Sequence, residues 1–121
     1  MNTKYHILPD DHFKNYFNYL IGKVWKILPM NDNNDRTLHK YISSLQRELI
    51  GNIHLVEDLR CDGYFMTLVN KIEFLNSEEY TKEICKTEVF ACIDLIKKIM
   101  EKHNLHIEGD DWWILIVINL D

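Results

Sequence analysis

The sequence predicts a mainly α, four-helix bundle-like single domain with a short C-terminal apolar strand or helix. Three observations carry that expectation. The chain has 121 residues, enough for one hydrophobic core and too few for two ordinary ones. It is 46% hydrophobic and 12% aromatic with only four glycines and two prolines, the composition of a packed globule and not of a disordered or collagen-like chain. Apolar residues recur at steps of three and four over four stretches, about 10–28, 36–60, 62–76 and 78–103, before an apolar tail at 112–120.

In the first stretch Phe13, Tyr16, Phe17, Leu20, Ile21, Val24, Trp25 and Leu28 form one unbroken stripe. Asp10 or Asp11 caps its start, and Pro29 is expected to deny it another turn. Met30 to Asp35 is rich in Asn and Asp, whose short side chains compete for backbone hydrogen bonds, so a loop is expected there. The second stretch places Leu38, Tyr41, Ile42, Leu45, Leu49, Ile53, Val56 and Leu59 on one face, with Gly51 as the expected site of a bend or of close approach by a neighbour.

Asp62 is placed to cap a third helix carrying Tyr64, Phe65, Leu68, Val69, Ile72 and Leu75. Met66 and Phe74 lie off that stripe, which predicts a helix surrounded on more than one side at the centre of the bundle. Ser77 or Thr81 caps a fourth helix whose stripe is Ile84, Cys85, Val89, Cys92, Ile93, Ile96, Ile99 and Met100. Lys97, Lys98 and Lys102 complement the negative pole of its dipole. Beyond His103, the run Trp112 to Ile118 is apolar on both faces; its β-branched residues favour a strand, while Asp110 or Asp111 as a cap suits a short buried helix.

Charge is unevenly distributed. Residues 1–60 hold eight Lys/Arg and seven Asp/Glu, whereas residues 61–121 hold six and twelve, so the second half carries −6 of the net −5. Such a field attracts basic surfaces and repels phosphate backbones, although an ordinary solvated acidic surface has the same composition. Three cysteines, no basic start followed by an apolar segment, and no uninterrupted apolar run of about 18 residues predict a soluble cytoplasmic chain without a disulfide framework.

Motifs for catalysis are missing from the sequence. It has no Glu-x-x-His pairs, His-Glu-x-x-His or Cys-x-x-Cys, and Gly22, Gly51, Gly63 and Gly109 stand alone instead of forming a phosphate loop, so no metal or other cofactor is expected. Cys85 and Cys92 with His103 and His106 come nearest to a ligand set, but free cysteines on a core stripe are usually small hydrophobes. His54 with Glu57 and Asp58 shares one helical face at offsets of three and four, an acid–base constellation or a solvated polar face. The helices flanking Cys61-Asp62-Gly63 superficially match a helix-turn-helix, yet the third offers only Lys71 and two asparagines to a nucleic acid.

The remaining signal is Glu108, Asp110, Asp111, Trp112 and Trp113, two indoles beside an acidic loop. Neighbours on a strand point to opposite faces, so both indoles do not fit one interior, and the expected use is as aromatic anchors ringed by carboxylates for a basic protein partner. Glu78, Glu79 and Glu83 form a second acidic patch. The strings Leu20-Ile21-Gly22-Lys23-Val24-Trp25-Lys26-Ile27-Leu28-Pro29 and Ser44-Leu45-Gln46-Arg47-Glu48-Leu49-Ile50-Gly51 resemble those of small uncharacterised helical proteins of bacterial and phage genomes. That resemblance spans about the first hundred residues and carries no catalytic residue; it implies an inhibitor, immunity or defence-associated protein. The expectation is therefore a non-enzymatic binding module acting on a basic partner, with no direct nucleic-acid or membrane contact. The alternative is a homo-oligomer or accessory subunit held by the apolar tail, and a third is a small enzyme in which His54 or His103 converges with carboxylates.

Overall fold

A computed structural model describes residues 1, 3, 10–77 and 79–103. Six helices follow in order: α1 Asp10–Trp25, α2 Ile27–Asp32, α3 Leu38–Leu55, α4 Glu57–Arg60, α5 Gly63–Ser77 and α6 Lys82–Lys102. The four long ones make a mainly α, bundle-like fold. Contacts fix their directions. Tyr16 meets Glu48 and Asn52 while Tyr41 reaches back to Lys23, so α1 and α3 run antiparallel. Asn76 meets Ser43 and Gln46, Lys71 meets Glu88, and Trp25 meets Phe90, which makes α3/α5, α5/α6 and α6/α1 antiparallel in turn.

The core is the sum of the apolar stripes, with Phe17, Leu20, Ile27, Ile42, Leu45, Leu49, Leu59, Phe65, Leu68, Ile72, Ile96 and Ile99 fully buried. The helix at its centre is α6, which packs on α5, α1 and α2 and buries seven side chains from Cys85 to Met100. The expectation of a central third helix is corrected accordingly: α5 is covered by α3 and α6 and leaves Tyr64, Met66 and Phe74 to solvent. Ile84, expected on the core stripe of α6, is also exposed.

Three local expectations also change. Pro29 does not end the first helix at Leu28. It sits in the first turn of α2, where a missing N–H orphans nothing; its effect falls four residues upstream, because it offers no donor to the Trp25 carbonyl, and the helix breaks at Lys26. The Asn/Asp run starts as helix to Asp32 and closes with Asn34 at φ 51°, the left-handed conformation that asparagine tolerates. The Asn34 and Asp35 amides bond back to the carbonyls of Asn31 (3.2 Å) and Met30 (2.9 Å), a Schellman closure.

Gly51 neither interrupts α3 nor admits a neighbour: the helix runs through it, and no atom beyond its own local backbone lies within 4 Å of where a Cβ would stand. The break is at Val56, buried and extended (φ −110°, ψ 105°), which forms an isolated antiparallel bridge with Thr3. Arg60 folds back to donate to the carbonyls of Ile53 (3.2 Å) and His54 (3.0 Å), satisfying the end of α3. At the start of α6 the Thr81 hydroxyl accepts from the Ile84 amide (3.2 Å), as the capping pattern implies.

Candidate functional site

Of the eight residues singled out as partner contacts, Glu79 and Glu83 fall among the described residues and both are exposed, Glu79 just before α6 and Glu83 in its first turn. Glu78, Glu108, Asp110, Asp111, Trp112 and Trp113 lie outside the described residues, as does the apolar tail 112–120.

Glu79 and Glu83 share the α5–α6 turn with three apolar side chains, of which only Ile84 is expected on a core stripe. Phe74, near the end of α5, stacks on Tyr80 with ring centroids 6.0 Å apart. The Tyr80 hydroxyl donates to the Leu75 carbonyl (2.7 Å), fixing the ring as a lid on the end of α5, and burial raises its pKa. Ile84 follows on the flank of α6 that faces α5, one turn before Glu88, the partner of Lys71 at 2.9 Å. Phe74, Tyr80 and Ile84 beside Glu79 and Glu83 thus make an aromatic and acidic corner at the α5–α6 turn. The off-stripe position of Phe74 was the signal that could have revealed it.

The opposite end of the same helix pair holds the one buried charged side chain among the described residues, Asp62. Its Oδ1 accepts from the amides of Tyr64 (2.8 Å) and Phe65 (3.1 Å), so it caps α5 as the sequence predicts. Its Oδ2 lies 2.6 Å from His103 Nε2 and 3.6 Å from Lys102 Nζ, at the end of α6. Burial pushes the carboxyl pKa up, but His103, the two amides and Lys102 together outweigh it, and Asp62 is held below the ordinary carboxylate value. A histidine does converge on a carboxylate here, yet both oxygens are engaged in tying two helix ends together, and the nearby Thr67 hydroxyl donates to the Gly63 carbonyl (2.9 Å). The His54 constellation is not assembled: the extended Val56 separates exposed His54 on α3 from Glu57 and Asp58 on α4, so the three share no helical face.

Between α1 and α3 lies an apolar pocket of about 360 Å³ lined by Thr3, His12, Phe13, Tyr16, Asn52, Leu55, Val56 and Leu59. Two of its polar members, Tyr16 and Asn52, serve the helix seam. The Tyr16 hydroxyl donates to Glu48 Oε2 (2.9 Å) and accepts from the Asn52 amide, and burial first and Glu48 second raise the phenol pKa. Cys85 and Cys92 are buried, and desolvation pushes their thiols up to about 11 and about 12, which makes them poor thiolate ligands or nucleophiles. Among the described residues no group of three His, Cys, Asp or Glu side chains is arranged to hold a metal, and no helix is long and apolar enough to cross a membrane. No family model matches the chain, and no match was found among curated proteins or solved structures.

Proposed function

We propose that this chain is a non-enzymatic protein-binding module that presents an acidic, aromatic surface to a basic partner, in the manner of an inhibitor or immunity protein. The observation that carries the reading is the α5–α6 corner, where exposed Phe74 and Ile84 and half-buried Tyr80 stand with exposed Glu79 and Glu83. Aromatic and aliphatic anchors flanked by carboxylates suit a partner whose contact face is apolar at the centre and cationic at the rim. The acidic stretch Glu108, Asp110 and Asp111 with Trp112 and Trp113 repeats that composition. The mechanism is steric occlusion, with the −6 charge of the second half accelerating encounter.

The test immobilises the full chain, captures a basic protein from the host and measures its association rate with the purified chain at low and high salt. The Asp110→Lys/Asp111→Lys and Glu79→Lys/Glu83→Lys variants should each slow association by about tenfold or more at low salt and little at high salt. Unchanged rates in both variants, or capture of no basic protein, would refute the reading.

A further inference from the structure

The outer face of the α5–α6 pair is unlike at its two ends, and the two ends complement one another. At one end Tyr64 is exposed, with Lys98 Nζ 6.0 Å and Lys102 Nζ 5.7 Å from its ring centroid, around an open groove also lined by Gly63, Thr67 and Glu101. At the other end stand Phe74, Tyr80 and Ile84 with Glu79 and Glu83. Lys71 and Glu88 neutralise each other between them. Each end offers what the other lacks: one carries two lysines over a single aromatic ring, with Glu101 beside them, and the other carries two carboxylates beside apolar side chains.

Position along the helices turns this into a symmetry. Tyr64 and Phe74 are ten residues apart, about 15 Å along α5, and their midpoint is Val69. On α6, Ile84 and Lys98 are centred on Ala91, and Lys71 pairs with Glu88, so Val69 and Ala91 lie at nearly the same height. One two-fold axis across the middle of the face therefore satisfies both helices. It sets Tyr64 of one copy on Phe74 of its mate, Lys98 beside Ile84 and Glu83, and Lys102 beside Tyr80 and Glu79. Ala91, a small side chain at the midpoint, lets the two α6 helices approach closely.

We propose that the α5–α6 face is an isologous interface that takes a second copy of this chain, with Lys98 and Lys102 of each copy docking on the aromatic, acidic corner of the other. A two-fold contact requires a self-complementary patch, and opposite charge at mirrored positions supplies one. The lysines are available for exchange: Lys98 pairs with Asp94 at 3.1 Å in an exposed i,i+4 contact, and Lys102 is half-exposed at 3.6 Å from Asp62. Two helices each about 10 Å across, with about 22 Å of each in the shared face, give a footprint of roughly 450 Å² per copy, small for a stable dimer, so pairing is weak and needs high concentration. The same corner serves the basic partner proposed above, so self-pairing and partner binding exclude one another. The inference does not rest on that partner, because it is measured on the purified chain alone.

Sedimentation equilibrium of the full chain over a range reaching about 1 mM reads the pairing directly. Glu83→Lys and Lys98→Glu should each weaken the dimer about tenfold, and the double exchange should restore it to within about threefold of the wild type, since only a pairing of these two positions is repaired by swapping them. Ile84→Lys should abolish the dimer with an unchanged thermal midpoint, because Ile84 is exposed in the monomer. A monomer throughout, a double exchange no better than the single variants, or a dimer indifferent to Ile84→Lys would each overturn the proposal.

Discussion

Two turns of this bundle use an aspartate in the same way and in opposite surroundings. Asp35 closes the α2–α3 turn: its Oδ1 accepts from the Thr37 amide (2.8 Å) and hydroxyl (2.6 Å), and the side chain is exposed. Asp62 closes the α4–α5 turn by accepting two amides on Oδ1, but it is buried and its second oxygen takes His103 and Lys102 from the end of α6. Both carboxyls are held below their ordinary value, Asp35 mainly by the Thr37 hydroxyl, Asp62 by His103 and the amides against its own burial. The difference teaches that a capping motif read from sequence fixes a local geometry. How much that geometry is worth depends on what the rest of the chain brings to the second oxygen.

The largest expected effect is at the buried turn. Asp62→Ala leaves two amides, an imidazole and an ammonium without their acceptor and should cost about 3–5 kcal/mol, read from the urea midpoint. A loss no greater than that of an exposed cap would break the contrast. The same carboxylate gives a pH signature. Its folded pKa is lowered, so its contribution is complete above the unfolded value of about 3.9 and is lost as pH falls through the lower folded value. Between about pH 4 and pH 2 the wild type should therefore lose stability more steeply than Asp62→Asn, which has no proton to take up; parallel curves would remove Asp62 from the acid transition. Next comes His103→Ala. It removes the 2.6 Å contact but leaves the capping amides and Lys102 in place, so about 1.5–2 kcal/mol is expected, checked by the same titration.

These contrasts also mark what the sequence could show. Four apolar stripes were enough for the bundle, because each buried face obeys the helical period, and Asp62 was legible as a cap because its partners are two and three residues away. His103 was not legible as its other partner, since 41 residues separate them and only packing of α5 on α6 brings them together. The breaks fell beside the expected residues. Pro29 acts at the Trp25 carbonyl, and Val56, a β-branched residue with nothing local to distinguish it from its stripe, leaves the helix while Gly51 does not. The candidate site was half visible. Glu79 and Glu83 could be read as acidic and Phe74 as off the stripe, whereas Ile84 falls on the core stripe because periodicity identifies apolar residues and not whether a neighbouring helix extends far enough to cover them.

The exposed turn separates backbone from side chain more finely. Asn34→Ala keeps the Cβ but removes the short polar side chain that lets asparagine tolerate a left-handed backbone, and should cost about 1 kcal/mol. Asp35→Ala should cost less than that, the smallest effect of the series. The Thr37 amide and hydroxyl that it releases are exposed and turn to water, so no donor is orphaned, and the Schellman bonds of the Asn34 and Asp35 amides belong to the backbone and remain. Thermal unfolding of the two variants side by side checks the order. If Asp35→Ala proved the more damaging, the turn would be held by its carboxylate and not by its backbone, and the distinction between the exposed and buried caps would shrink to a matter of degree.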